Sequence, residues 1–303
     1  MREILIIRLG ALGDFIESFP AFAAIRAAHP RARITLLTTR PFEAIARAAP
    51  WFDAVRIDGR PKIWNLIGVW RTARALRGFD YVFDLQTSGR SARYFILAGK
   101  PGWSGIAAGC SHPHANLDRN RMHTIERQQD QLRAAGIRQF PPAERAWLAA
   151  LGSTLGVVKP FALLVPGAAK DPRKRWPAAN FGALAGVLAG RGLTPVVIGG
   201  AQEGRAASVI LQACASAIDL TGRTSIPDLA ALGEAATLAV GGDTGPMHVF
   251  AAMGAPSLVL FSAAGVPAQA APRGPGGAFA RYVQVANLDL LPVDQVVAAL
   301  PRA

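Results

Sequence analysis

Several short stretches of this chain carry residues whose types and spacing suit chemistry. R-L-G-A-L-G-D at 8–14 places two glycines and then a carboxylate after an apolar run. Glycines between a strand and a helix let backbone approach a ligand, and the helix start offers N–H groups to an anion. Asp14 would sit in the first helical turn. There it is either a carboxylate favoured by the helix dipole or a general base. A-K-D-P-R-K-R-W-P at 169–177 gathers four cations before a helix. It reads as a solvated loop or as a phosphate clamp, with Lys or Arg adding to the helix N–H groups. G-G-D-T-G-P-M-H at 241–248 follows another apolar run. Thr244 and Gly245 would offer a hydroxyl and backbone N–H groups to an anion. Asp243 and His248 read as a helix cap and a packed histidine, or as catalytic groups. Glu203, in G-G-A-Q-E at 199–203, is either a surface carboxylate or a partner for ribose hydroxyls.

Cys110, His112, His114 and His123 fall close together. Their C-x-H-x-H spacing matches no usual structural zinc site, so no metal is expected, and a polar, Arg-rich loop is the better reading. The G-x-G-x-x-G fingerprint and the Walker motif are both absent, which counts against hydride transfer and NTP hydrolysis.

Positioning these groups requires an alternation of strands and helices. Residues 3–8, 33–38, 55–57 and 81–85 read as buried strands with helices between them. The first helix is expected to run from the glycines to about residue 29. The pattern restarts with strands at 161–165, 194–198, 238–240 and 257–261. Alternation of this kind means parallel, doubly wound sheets. The expected architecture is two Rossmann-like domains, 1–155 and 156–303, facing a cleft that holds the ligands. Residues 63–79 place Ile63, Leu66, Ile67 and Trp70 on one face, with Arg71 and Arg74 near the other. A helix covering the sheet is expected there; lying on an anionic membrane is the competing reading.

Composition sets the outer limits. The chain has 303 residues, 51% of them apolar, enough for two cored domains and against disorder. The net charge is +13. Residues 1–155 hold 22 basic and 12 acidic side chains, while 156–303 hold 11 and 8. The surplus calls for an anionic partner: a small ligand, a nucleic acid or a membrane face. Two cysteines are too few for a disulfide framework, which suits a reducing, cytoplasmic setting. The apolar start is broken by Glu3, Arg8 and Asp14, so no secretory leader is expected. The uncharged run between Asp243 and Arg273 is interrupted by prolines and glycines, and no membrane span is expected.

Four stretches together resemble the ADP-heptose:lipopolysaccharide heptosyltransferases, glycosyltransferase family nine. They are I-L-I-I-R-L-G-A-L-G-D-F-I-E-S-F-P-A at 4–21, R-K-R-W-P at 173–177, D-L-T-G-R-T-S-I-P-D-L-A-A-L at 219–232, and G-G-D-T-G-P-M-H at 241–248. The resemblance implies a GT-B fold with an N-terminal acceptor domain and a C-terminal nucleotide-sugar domain. It implies Asp14 as catalytic base and Lys174 on the donor phosphates. It places Asp243 near the sugar, Thr244 and Gly245 near the diphosphate, and Glu203 at the ribose. The implied reaction is metal-independent inverting transfer of a heptose from ADP-heptose, with no further cofactor. The implied acceptor is the anionic, lipid-linked inner core of lipopolysaccharide, met peripherally at the cytoplasmic face of the inner membrane. Nucleic acid is then not an expected partner. The resemblance breaks at 262–268, where S-A-A-G-V-P-A replaces the family's Gly-Pro-Thr-Asp-Pro. That loop leaves another sugar or acceptor open. A nucleotide-sugar epimerase of the same fold, or a non-catalytic basic binder, are the alternatives.

Overall fold

The computed structural model describes residues 1–62, 64–167 and 172–301. The chain divides into two α/β units, Met1–Glu144 and Arg145–Ala303. The division falls ahead of the 155/156 position read from sequence. Helix α7 (Ala146–Ala150), numbered in chain order, packs on α10 (Ile226–Ala235) of the second unit. The backbone N–H of Ser153 also donates to Asp228, 3.0 Å away.

The first unit runs β1 (Glu3–Ile7), α1 (Leu12–Ile16), α2 (Phe19–Ala28), β2 (Arg33–Thr38), α3 (Glu43–Ala48), β3 (Ala54–Ile57), α4 (Leu66–Leu76), β4 (Tyr81–Asp84), α5 (Gly89–Leu97), β5 (Gly102–Gly105), β6 (His112–Pro113) and α6 (Thr124–Ala134). Its strands form one parallel sheet in the order β3-β2-β1-β4-β5-β6. Helices shield both faces of such a sheet, so its central strands read as unbroken apolar runs. Ile4, Leu5, Ile6 and Ile7 of β1 are fully buried accordingly.

The second unit runs β7 (Phe161–Val165), α8 (Ala178–Gly190), β8 (Thr194–Val197), α9 (Gly204–Ala213), β9 (Ile218–Asp219), α10, β10 (Leu238–Gly242), α11 (Gly245–Ala252), β11 (Ser257–Phe261), α12 (Pro267–Ala270), β12 (Arg281–Gln284) and α13 (Val293–Ala299). Its sheet order is β12-β11-β10-β7-β8-β9, again parallel. Counted within the unit, both sheets follow the order 3-2-1-4-5-6, the Rossmann arrangement. In each, the chain direction across the sheet reverses between the first and fourth strands. Ligands of such sheets bind at the carboxyl ends beside that reversal.

Two expectations change. The single helix expected after the first glycines is two helices, because Pro20 lacks the N–H that a continuing helix needs. The Ser18 hydroxyl instead donates to the Asp14 carbonyl, 2.7 Å away, which the end of α1 leaves open. The helix expected within 63–79 does form, over Leu66–Leu76, with Ile63 outside the described residues. Its apolar stripe, however, does not cover the sheet. α4 buries only Thr72 and Leu76 and leaves Leu66, Ile67 and Trp70 in solvent. No helix among the described residues is long and apolar enough to cross a membrane.

Candidate functional site

In the first unit the chemistry gathers at the carboxyl end of β1. Gly10 takes φ +117°, where a side chain is strained, and a Cβ there would lie 2.9 Å from the Phe42 ring. The turn is pinned through Leu9: its N–H donates to Gln86, and its carbonyl accepts from Thr39 and Arg60. α1 then follows, anchored by Phe15, whose ring stacks on Phe42 at 4.7 Å. With Phe15 and Ile16 directed inward, Asp14 faces outward on this short helix with its side chain 40% exposed.

Asp14 is held from two sides. An Arg8 guanidinium nitrogen lies 3.0 Å from its Oδ1, and the Thr124 hydroxyl donates to the same oxygen at 3.3 Å. The Arg8 side chain is 1% exposed, and it also donates to the Leu85 carbonyl at 2.7 Å. Burial lowers its pKa, the nearby Asp14 charge opposes that shift, and an arginine remains charged in any case. A buried cation whose counterion reaches solvent fixes that carboxylate in place. Gln128 ties α6 to the same point by donating to the Ser18 hydroxyl at 2.8 Å. Arg8, Thr124 and Gln128 had no assigned role in the sequence reading. Arg8 was visible in the 8–14 motif; Thr124 and Gln128 lie over a hundred residues away and carry no local signal.

Asp84, at the end of the neighbouring β4, is fully buried. Burial pushes its pKa up to about 6, against hydrogen bonds from Ser91, Thr87 and Gln86 and the Arg8 charge. A raised carboxyl pKa favours the folded state most when the group is protonated in both states. That contribution is complete below about pH 4 and is lost as the pH rises through about 6. Asp84→Asn should remove this slope. The urea-unfolding difference between wild type and variant should change by up to about 3 kcal/mol from pH ~4 to pH ~7. A constant difference across that window would contradict the placement of a titrating carboxyl there.

The second unit gathers its candidates at the carboxyl ends of β7, β8 and β10. Lys174 Nζ donates to Asp243 Oδ2 at 2.8 Å, and His248 Nε2 lies 3.8 Å from Oδ1. Burial alone would raise the Asp243 pKa. Hydrogen bonds from His248 and Lys174 and the lysine charge outweigh it and hold the carboxyl below its ordinary value. His248 is buried and faces Asp243 from α11. Thr244 is the extended N-cap of α11, and its hydroxyl donates to the Gly242 carbonyl at 3.4 Å. The cationic stretch ends at Trp176, whose indole N–H donates to the Leu291 carbonyl at 2.9 Å. That anchor fixes where Lys174 leaves the core. Ala169, Lys170 and Asp171 of the same motif lie outside the described residues.

Beside this pair is a cavity of about 220 Å³ lined by Gly167, Gly199, Glu203, Thr244 and Gly245, among others. Glu203 Oε2 accepts the Gly200 N–H at 2.8 Å. Its chain lies over Gly167, where a Cβ would stand 2.8 Å from Glu203 Cγ. Glu203, Thr244 and Gly245, read from separate motifs, therefore line one space. The divergent loop after β11 edges another cavity, of about 500 Å³, with Ser262 and Arg173 on its wall.

The Cys110, His112, His114 and His123 group does not converge. Cys110 Sγ donates to the Gly105 carbonyl at 3.8 Å, and His112 meets the Tyr81 hydroxyl at 2.8 Å. His114 meets Asp130 at 2.8 Å, and His123 faces Glu17 and Glu126. Among the described residues no group of three such side chains could hold a metal ion.

A sequence profile described as glycosyltransferase family 9 (heptosyltransferase) matches residues 69–272. Lipopolysaccharide heptosyltransferase 1 of Salmonella typhimurium is 25% identical over 86% of this chain and 88% of its own length. A shorter match, to a protein of Haemophilus influenzae, is 38% identical over 60 residues and covers 17% of that relative. A family 9 glycosyl transferase structure from Veillonella parvula superposes with TM-score 0.84 at 21% identity, covering 98% of this chain and 95% of that one. The E. coli ADP-heptose lps heptosyltransferase II structure gives 0.77 at 22% identity, covering 99% and 97%.

Proposed function

Because the chain belongs to glycosyltransferase family 9 (heptosyltransferase), we propose that it transfers a heptose, with inversion, from ADP-heptose to the inner core of lipopolysaccharide. The observation that carries this reading is the Lys174–Asp243 pair beside the cavity lined by Glu203, Thr244 and Gly245. Such a site suits a nucleoside diphosphate sugar. A lysine and the start of a helix meet the diphosphate, a carboxylate meets ribose hydroxyls, and a second carboxylate meets the sugar. The 25% identical Salmonella relative carries the lipopolysaccharide heptosyltransferase name, which supports the same acceptor class.

The residues then divide the work. A sugar hydroxyl is a weak nucleophile, so Asp14 takes its proton as the new bond forms. Arg8 and Thr124 keep that carboxylate aimed. Charge develops on the departing diphosphate, where Lys174 and the α11 N-terminus stabilise it. Attack opposite the leaving group inverts the anomeric carbon. The first unit holds 21 basic and 12 acidic residues, a surplus that suits an anionic, lipid-linked acceptor at the cytoplasmic face of the inner membrane.

The test is to incubate the protein with ADP-heptose, with and without lipid A–core acceptor, and to measure ADP release. Release only with acceptor is expected, and ADP-sugars should raise the melting temperature more than UDP- or GDP-sugars. Conversion of the donor alone would instead show an epimerase. A preference for another nucleotide would overturn the donor assignment.

A further inference from the structure

We infer that the α4–α5 face of the first unit is a docking surface for an anionic phospholipid bilayer. It rests on the proposed function only for the reason an enzyme would go there. The observation is an apolar ridge that the fold leaves uncovered. Trp64 is 73% exposed, Leu66 76%, Ile67 67%, Trp70 60% and Ile96 66%. Leu66, Ile67 and Trp70 share one stripe of α4, and Trp64 and Ile96 line one groove; large apolar side chains gathered in this way mark an interaction site rather than ordinary surface. Between α4 and α5 it continues into a groove of about 540 Å³, lined by Val69, Tyr94 and Leu97 among others.

The partner follows from the charges interleaved with this patch. Lys62 Nζ lies 5.1 Å from the centre of the Trp64 ring, and the Arg74 guanidinium carbon lies 5.6 Å from that of Trp70. Arg71 and Arg74 stand one turn beyond Ile67 and Trp70, which on the helix Leu66–Leu76 puts them beside the apolar stripe and not near the opposite face expected from sequence. Arg90 and Arg93 border the groove from α5. Over residues 60–100 the sequence carries eight basic side chains and two acidic ones, and one of the latter, Asp84, is buried. A protein partner would need matching acidic and apolar spots. A bilayer of anionic lipid supplies both over any area: acyl chains beneath, phosphates above. Trp side chains settle at that boundary, and long cationic side chains reach from it to phosphate. An amphipathic helix with this composition lies in the plane of the interface.

The surface is also joined to the site. The loop after β3 leads into α4, and within it the Arg60 guanidinium donates to the Leu9 carbonyl at 2.6 Å. Leu9 starts the turn that carries Asp14. A bilayer seated on α4 would bring lipid-linked substrates toward the carboxyl end of the sheet, where that carboxylate stands.

The probe is the full-length protein mixed with vesicles of phosphatidylglycerol and phosphatidylethanolamine, or of phosphatidylcholine alone, without donor or acceptor. Flotation should recover protein with the anionic vesicles and not with the neutral ones. Trp64→Ala with Trp70→Ala should lower the partition coefficient at least tenfold, while the circular dichroism spectrum and melting temperature stay unchanged. Ile67→Glu should do the same without removing a chromophore. Transfer to a de-acylated, water-soluble acceptor should be unaffected by these substitutions, so failure of this inference and failure of the proposed reaction are read separately. Equal partition of variant and wild type would overturn the assignment, as would no binding to anionic vesicles. Self-association that the double variant abolishes, with no vesicle binding, would give the surface to a second copy of the chain.

Discussion

Asp14→Asn is expected to lower the turnover of heptose transfer about a thousandfold and to leave ADP binding within about twofold of wild type. A positioned general base contributes between about a hundred- and ten-thousandfold. An asparagine keeps the shape and still accepts from Arg8 and Thr124, which hold the carboxylate at 3.0 and 3.3 Å. It cannot accept the hydroxyl proton. The substitution also takes the counterion from a guanidinium that is 1% exposed. Breaking a buried pair costs up to about 3–5 kcal/mol, and here less, because Asp14 itself is partly solvated. A lower melting temperature is therefore part of the expected result, and assays belong well below it. Retained ADP affinity separates lost chemistry from lost folding, since the groups proposed to hold the nucleotide belong to the other unit. Turnover within tenfold of wild type would remove Asp14 from the role of base.

Lys174→Met should reduce kcat/KM roughly a hundred- to a thousandfold, the usual scale for losing one group that stabilises transition-state charge. Part of the loss falls on donor binding, and ADP affinity should drop about tenfold. A second signature concerns Asp243. In the wild type, burial would raise its pKa, but His248 and Lys174 hold it low. Without the lysine the carboxyl should take up a proton at a higher pH. A protonated Asp243 repels a diphosphate less, so acidification should favour ADP binding to the variant more than to the wild type, the titration of ADP itself being common to both. Titration calorimetry from pH ~5 to pH ~8 would show it. Lys174→Arg keeps a cation and should retain part of the activity and the wild-type pH profile. A methionine variant with wild-type kcat/KM would exclude Lys174 from the diphosphate.

How much of this was legible depends on where the information lies. β1 and β10 were readable because a strand buried on both faces is a run of apolar residues, and glycine-rich turns mark its end. The motifs at 199–203 and 241–248 pointed to Glu203, Asp243, Thr244 and Gly245 as candidates, while the four cations at 169–177 did not by themselves single out Lys174. That Lys174 meets Asp243 followed from no spacing, since 69 residues separate them. Arg8 was in plain view, yet its role depends on β4 lying beside β1, where the Leu85 carbonyl receives it. Such crossovers leave no local trace. α4 shows the opposite failure. Its periodicity correctly announced an apolar stripe, but periodicity does not say what covers it, and in this fold nothing within the unit does. Cys110 and the three histidines were close in sequence and took separate partners, because β5, β6 and the start of α6 send them to different neighbours.

Glu203 lies over Gly167 and Gly199 so closely that a methyl group on either would stand less than 3 Å from its side chain. The three positions, drawn from two strand ends, are therefore one heritable unit. A side chain at 167 would need a shorter residue at 203, whereas at 199 the obstacle is the Glu203 Cβ itself, which every residue but glycine keeps. Positions 167 and 203 should therefore tolerate replacement together better than singly, while 199 should stay glycine.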